Sequence, residues 1–249
     1  MKIITRNFKE TFDVLKAFKE LSIDNLTFRT DLNGFRVKNA SRTMISYLDV
    51  YFKASNFDVF ELDNKTVGEV FTVDLKNFLD FTFNKTDRIT LNSNALGQHL
   101  TLKAESETIT TLNLDLLDNP KDELDVPIKT IKENTSLVEI DFKAFKNILK
   151  NYLKEEGVIF ELKEDCFKLT TDRNQETKIF KGTDIIKEIR GNAKSKYSME
   201  YLKLLNKLDV KTFTNIRIEF KTDFPIVFTL LNDNIKVEYM IAPRVSDNE

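Results

Sequence analysis

Four times along the chain a capping side chain closes a β-like run and opens a short amphipathic helix: Asn7 before FKETFDVLKAF, Asp74 before LKNFLDF, Asp141 before FKAFKNILKNYL and Ser198 before MEYLKLLNKL. The first three caps are evenly spaced and the fourth comes somewhat sooner, so the pattern is an internal repeat. An oxygen-bearing side chain at such a position accepts from amides that the first helical turn leaves unpaired. Asn7 also has Glu10 three residues on, the spacing of a capping box. A fold built on this chain must therefore reuse one strand-helix unit four times.

The stretch after each helix alternates with period two, the mark of a strand with one buried face. The first quarter offers LTFRT and GFRVK, joined through Asn33-Gly34, a strong hairpin turn signal. The second offers Ile89 and Leu91, Leu100 and Leu102, then Leu112, Leu114 and Leu116. In the third, Gly157 is placed to end its helix as the C′ residue, before Val158, Phe160 and Leu162, then Phe167 and Leu169. The last has Ile216, Ile218 and Phe220, then Ile226, Phe228 and Leu230, then Ile235, Val237, Tyr239 and Ile241. The expected fold class is α+β: two similar domains, each of antiparallel sheet with two helices on one face. The segment DNPKDELDVPIKT, with Pro120, Pro127 and clustered acids, breaks the pattern and reads as an exposed connector. The expected boundaries are 1–117, a connector at 118–132, 133–246, and a tail at 247–249.

Bulk properties remove several classes of function. The 249 residues, 41% of them hydrophobic, suffice for two cores. No apolar run is long enough to span a bilayer, and MKIITRNFKETF lacks the apolar stretch of a secretory signal. Six glycines argue against folds that cradle phosphate in glycine-rich turns. The single cysteine, Cys166, leaves no partner for an intramolecular disulfide and agrees with a reducing compartment. The acidic residues beside Cys166 argue for an inert thiol. His99, the only histidine, lies in an alternating strand, where a solvent-side role is favoured over catalysis. The acids of DNPKDELD lack the glycine and terminal glutamate of a calcium loop. No catalytic residue, metal set or cofactor site is expected.

With 38 basic against 40 acidic residues, attraction to phosphate must come from uneven placement. The helix after Asp141 carries Lys143, Lys146, Lys150 and Lys154. At 100° per residue, Lys143, Lys150 and Lys154 fall within about 20° of one line. The last helix adds Lys203 and Lys207, the first Lys9 and Lys16, diluted by Glu10 and Asp13, and the second only Lys76. No aromatic platform for stacking bases lies among them, so this surface suits loose backbone contact without base reading.

Ser195, Tyr197, Ser198, Tyr201 and Leu202 resemble the S-x-Y-S-x-x-Y-L helix start of the proliferating cell nuclear antigen family of DNA sliding clamps. The ending Ala242, Pro243, Arg244 and Val245 is similar to the family's A-P-R/K-V/I. LNLDLLD from Leu112 to Asp118 stands where the connector begins, with Leu124, Val126 and Pro127 in its apolar stretch. Asn39, Ser41 and Arg42 stand at the family's D-x-S-x turn, and Asp223 to Ile226 at its D-x-P-L segment. The resemblance covers nearly the whole chain. Departures are the slightly short GFRVKNASR segment, Asn39 in place of an aspartate, and the lysine-poor second helix.

The resemblance implies a head-to-tail trimeric ring with helices lining the hole and sheets outside. It would encircle double-stranded DNA without sequence preference and serve as a processivity factor in replication and repair, with no catalysis of its own. DNA polymerase, clamp loader, flap nuclease and ligase would dock short apolar motifs in a pocket beneath the connector. Carried over by position, that pocket would involve Arg42, Thr43, Ile45, Leu124, Val126, Pro225, Ala242, Pro243 and Arg244. In a ring of identical chains, the strand around Ser106 to Leu114 would pair with one around Gln175 to Gly182 of the neighbour. The alternative is a specialised subunit of a heterotrimeric or checkpoint-type clamp, or a DNA-free scaffold of the same fold. The implied location is cytoplasmic and nucleoid-associated for an archaeal source, nuclear or at a viral replication site otherwise.

Overall fold

The computed structural model describes residues 1–62, 68–93, 98–120, 124–163, 165–171, 176–182 and 184–244. Outside them lie Val245 of the ending motif, the tail 247–249, Gln175 of the expected edge strand, Glu164 beside Cys166, and Lys121, Asp122 and Glu123 of the connector. The chain divides into two compact units. The first comprises Met1–Asn39, Asp49–Leu124 and Asp233–Lys236; the second comprises Ala40–Leu48, Asp125–Asn232 and Val237–Glu249.

The first unit opens with β1 (Lys2–Thr5), α1 (Phe8–Leu15) and a 3₁₀ turn over Lys16–Leu21. Strands β2 (Asn25–Asp31), β3 (Gly34–Ala40), β4 (Ser46–Lys53), β5 (Val59–Glu61) and β6 (Val70–Asp74) come next, then α2 (Leu75–Leu79), β7 (Arg88–Ser93), β8 (His99–Glu105) and β9 (Ile109–Asp115). One sheet runs β5-β1-β7-β8-β9. A second ladder pairs β6, β2 and β3 antiparallel, with Phe28 opposite Val37 and Phe71. The β2–β3 turn forms where Asn33-Gly34 indicated. A Cβ on Gly34 would stand 2.0 Å from the Phe52 carbonyl oxygen, so only glycine lets the strands approach this closely. Phenylalanine fills the core: Phe28 stacks on Phe71 at 4.9 Å, and Phe78 of α2 reaches Phe28 at 5.6 Å.

The second unit repeats the plan. After Ala40–Leu48 it continues with a helical turn, α3 (Ile128–Ile131), inside the segment expected to be an exposed connector. Then come β10 (Ser136–Asp141), α4 (Phe142–Asn151), β11 (Gly157–Lys163), β12 (Cys166–Thr171), β13 (Thr177–Phe180), β14 (Ile186–Arg190) and β15 (Ala193–Ser198). The unit closes with α5 (Met199–Leu202), a 3₁₀ stretch over Lys203–Lys207, β16 (Asn215–Phe220), β17 (Ile226–Leu231) and β18 (Ile235–Ile241). Its sheets run β13-β12-β11-β15 and β14-β10-β16-β17-β18. Phe145 of α4 joins them, 6.4 Å from Phe160 of β11 and 6.1 Å from Phe228 of β17.

Of the expected helix caps, Asp74 accepts from the Asn77 amide at 2.7 Å and Asp141 from the Ala144 amide at 2.7 Å. The side chains of Asn7 and Ser198 make no capping bond. At Asn7 the backbone serves instead, its carbonyl accepting from the Glu10 amide at 3.2 Å. Gly157 is not a helix C′ residue: α4 ends at Asn151, and Gly157 already pairs with Ser198 as the first residue of β11.

Candidate nucleic-acid interface and docking cavity

The lysines separate into three groups. On α4, Lys143 and Lys150 are exposed, while Phe142, Phe145 and Leu149 are buried beneath them. Lys146 is not on that face. It lies about 60° from Lys143 around the helix, towards Phe142, and is only 8% exposed. Its ammonium donates to the Leu208 carbonyl and lies 5.4 Å from the Phe142 ring centroid. Burial first, and the neighbouring Lys150 charge second, lower its pKa, while Asp209 opposes them. Lys146 thus ties α4 to the end of the 3₁₀ stretch and is withdrawn from solvent. Lys154 is exposed but falls beyond the end of α4, so its place on the helical line is lost.

In the first unit, Lys9 and Lys16 both pair with Asp13, at 2.7 and 3.1 Å, which offsets part of their charge. Lys76 is exposed on α2. Lys203 and Lys207 are exposed, but they lie in 3₁₀ rather than α geometry. At three residues per turn they do not share one line, whereas Leu202 and Leu205 do, and both are fully buried. Within each unit, taken by itself, the exposed lysines are separated point charges rather than a site that would hold one phosphate rigidly.

Among the described residues, each unit also ends a sheet with an open edge. In the five-stranded sheet β9 is terminal, and Ile109 on it is 65% exposed. In the four-stranded sheet β13 is terminal, and Ile179 on it is 46% exposed. Apolar residues on unpaired strand edges are surfaces that proteins ordinarily cover.

Within the second unit a cavity of about 820 Å³ is lined by Ile45, Glu155, Glu156, Ser198, Glu200, Tyr201, Lys203, Ala242, Pro243 and Arg244. Backbone bonds build it: the Ala242 amide donates to Ile45 at 2.8 Å, and the Arg244 amide to Lys196 at 2.8 Å. The Arg244 guanidinium donates to the Glu156 carbonyl at 3.2 Å. The turn from Ser41 to Ser46 is closed by the Met44 amide donating to Ser41 at 2.8 Å, with Met44 at φ 58° and 64% exposed. Thr43 and Tyr201 share a hydroxyl hydrogen bond of 2.9 Å, which holds Thr43 beside the cavity.

So Ile45, Ala242, Pro243 and Arg244 come together, with Thr43 adjoining. Arg42 is exposed on the turn, and Val126 and Pro225 are half-buried; none of these lines the cavity. Leu124 lines a different cavity of about 360 Å³ in the first unit, among residues such as Arg29, Lys38 and Thr72. Glu155, Glu156 and Glu200 add walls that no sequence pattern marks, and Lys203, expected on the DNA side, is a wall as well. The S-x-Y-S-x-x-Y-L signature holds a usable signal, since Ser198 and Tyr201 belong to it. Ser198, free of any capping role, is a cavity wall.

Two repeated α+β units, with open sheet edges at β9 and β13, define a DNA clamp fold. Over 249 residues, 97% of this chain and 95% of the relative, the chain is 23% identical to the DNA polymerase sliding clamp of Methanobrevibacter smithii. It is likewise 23% identical over 247 residues to that of Methanothermobacter thermautotrophicus. No protein-family model matches the chain. Among solved structures, it superposes on a chain of the PCNA2–PCNA3 complex from Sulfolobus tokodaii with a TM-score of 0.86 at 18% identity, covering 98% of this chain and 99% of that one. PCNA from Thermococcus kodakaraensis gives 0.83 at 17% identity, with the same coverage. The chain is a homologue of archaeal DNA polymerase sliding clamps and has the proliferating cell nuclear antigen fold.

Proposed function

We propose that this chain is a protomer of a sliding clamp that encircles duplex DNA and tethers replication and repair proteins to it, without catalysis of its own. The observation that carries the reading is likeness along 97% of the chain to relatives that are DNA polymerase sliding clamps. The open edges β9 and β13 support closure: the exposed Ile109 of one copy meets the exposed Ile179 of the next, a heterologous contact that ends in a ring when its rotation closes. Lys76, Lys143, Lys150 and Lys207 face the DNA, with Lys9 and Lys16 weakened by Asp13. Because a closed ring is linked topologically, weak and salt-dependent phosphate contacts suffice and permit sliding. DNA polymerase, clamp loader, flap nuclease and ligase dock apolar segments at the Ile45–Ala242 cavity. Such a protein works in the cytoplasm at the nucleoid if the source is archaeal.

Native mass tests the assembly. The reading gives three chains of 29.0 kDa each; a stable single chain at micromolar concentration contradicts it. A second reading, a subunit of a mixed ring, draws on the likeness to a chain of a PCNA2–PCNA3 complex. It gives a single chain alone and a trimer only on addition of sister subunits.

A further inference from the structure

The backbone of the two open edges dictates what can pair with them. In antiparallel sheet the amide and carbonyl of one residue point to the same side, and successive residues alternate. The Leu116 amide donates to the Gln98 carbonyl at 3.0 Å, so Leu112 and Leu114 bond β8, while Ile109, Thr111 and Asn113 present their backbone groups to the open edge of β9. The Thr171 amide donates to the Glu176 carbonyl at 3.2 Å, so Lys178 and Phe180 bond β12, while Thr177 and Ile179 present theirs to the open edge of β13. Side chains follow the same parity. Leu100 and Leu114 are opposite one another and buried, as are Phe167 and Phe180, and Ile109, Thr111, Thr177 and Ile179 are exposed on the other faces.

A ladder between these edges must set odd-numbered residues of β9 opposite odd-numbered residues of β13, because a slip of one residue turns every side chain to the wrong face. Opposite Ile109 that parity admits Thr177, Ile179 or Lys181. Only Ile179 covers one exposed apolar side chain with another. The ladders within both sheets are antiparallel. Antiparallel pairing at Ile109–Ile179 sets Thr111 opposite Thr177 and brings Glu107, in the turn before β9, to the end where Lys181 follows β13. Parallel pairing at the same residues instead sends Lys181 to Thr111 and Glu107 to Thr177. Lys103 pairs with Glu105 and Lys178 with Glu176 inside one chain. Glu107 and Lys181 are exposed and, among the described residues, have no such partner. One edge thus offers an acid where the other offers a base, and opposite charges across a ladder attract.

We propose that the neighbour at both edges is a second copy of this chain, paired antiparallel with Ile109 opposite Ile179 and latched by Glu107 against Lys181. The proposal rests on the pairing of β9 with β13 in the clamp reading and adds its occupant, direction and register. The experiment reads the native mass of the full chain against concentration at low salt, by sedimentation equilibrium. Glu107→Lys and Lys181→Glu each raise the concentration of half-assembly about tenfold, because an exposed pair of small worth gives way to a like-charge contact at every interface of the ring. The two changes together in one chain exchange the charges and restore parental assembly. Oxidation reads the register: opposite residues of a hydrogen-bonded pair have Cα atoms about 5.5 Å apart, within reach of a disulfide, so Ile109→Cys with Ile179→Cys links the copies covalently. Ile109→Cys with Thr177→Cys, displaced by two residues, does not. Exchanged charges that fail to restore assembly, or preferential linking of the displaced pair, overturn the register and leave the ring standing. A parent that stays a single chain until sister subunits are added overturns the proposal outright, while the clamp reading survives in its mixed-ring form.

Discussion

Replacing Lys146 by alanine, and separately Lys143 and Lys150 together, divides a lysine that holds the fold from lysines that meet DNA. Lys146 lies buried with its ammonium on the Leu208 carbonyl. A hydrogen bond from a charged donor contributes about 1.5–3 kcal/mol, and alanine also strands the carbonyl it served. The desolvation that lowers the Lys146 pKa offsets part of this, so the expected net loss is about 2 kcal/mol, or about 4–8 °C in melting temperature for a chain of this size. Lys143 and Lys150 are exposed, and their loss leaves the melting temperature unchanged. Their effect appears instead in equilibrium binding to a short linear duplex across a salt series, where the slope of log K against log salt falls by about 0.9 for each phosphate contact removed. Lys146→Ala leaves that slope alone. If Lys146→Ala lowers the slope and spares the melting temperature, while the double variant does the reverse, the division of the lysines is refuted.

Ile109→Asp places a charge on the open edge of β9 and reduces the native mass to that of one chain, with the circular dichroism spectrum intact; an unchanged trimer shows that the edge is not the interface. Ile45→Asp, in the cavity wall, abolishes peptide binding without lowering the melting temperature, and undiminished binding places docking elsewhere. Asp141→Ala removes the bond to the Ala144 amide and costs about 1 kcal/mol, read by urea unfolding. Burial pushes the Tyr152 hydroxyl up to about 12 and raises that of Tyr197 as well. Both groups bind protons more tightly folded than unfolded, so their contribution is complete below pH 10 and is lost as pH rises through the folded values. Tyr197→Phe flattens the fall in stability above pH 10; an equally steep fall excludes Tyr197 as its source.

Much of the fold is legible in the sequence because burial leaves a period. Phe160, Leu162, Ile218 and Phe228 announce their strands by alternation, and all are buried. Asp74 and Asp141 announce helix starts through the oxygen that the first turn needs. Asn7 and Ser198 carry the same chemistry without making the bond, since a sequence holds a side chain's options but not its choice. Lys146 shows a second limit. It lies beside the lysine line by helical angle, and its bond to the carbonyl of Leu208, about sixty residues on and just past the 3₁₀ stretch, is what no helical period announces. The α-to-3₁₀ change after Leu202 likewise takes Lys203 and Lys207 off one line, where a uniform period of 3.6 aligns them, and Lys203 is a wall of the cavity. The cavity is half legible: Ile45, Ala242, Pro243 and Arg244 sit in recognisable segments, whereas Glu155 and Glu156 reach it through a turn that has no pattern of its own.

The central claim is a ring linked to DNA, and release from DNA by cutting tests it most directly. Once loaded on a nicked circular duplex, the protein is expected to stay through gel filtration at a salt concentration that abolishes binding to short linear duplex. A single cut in the circle then frees it by sliding from the ends. Equal retention on circular and linear DNA of the same length contradicts a topological clamp and indicates ordinary binding.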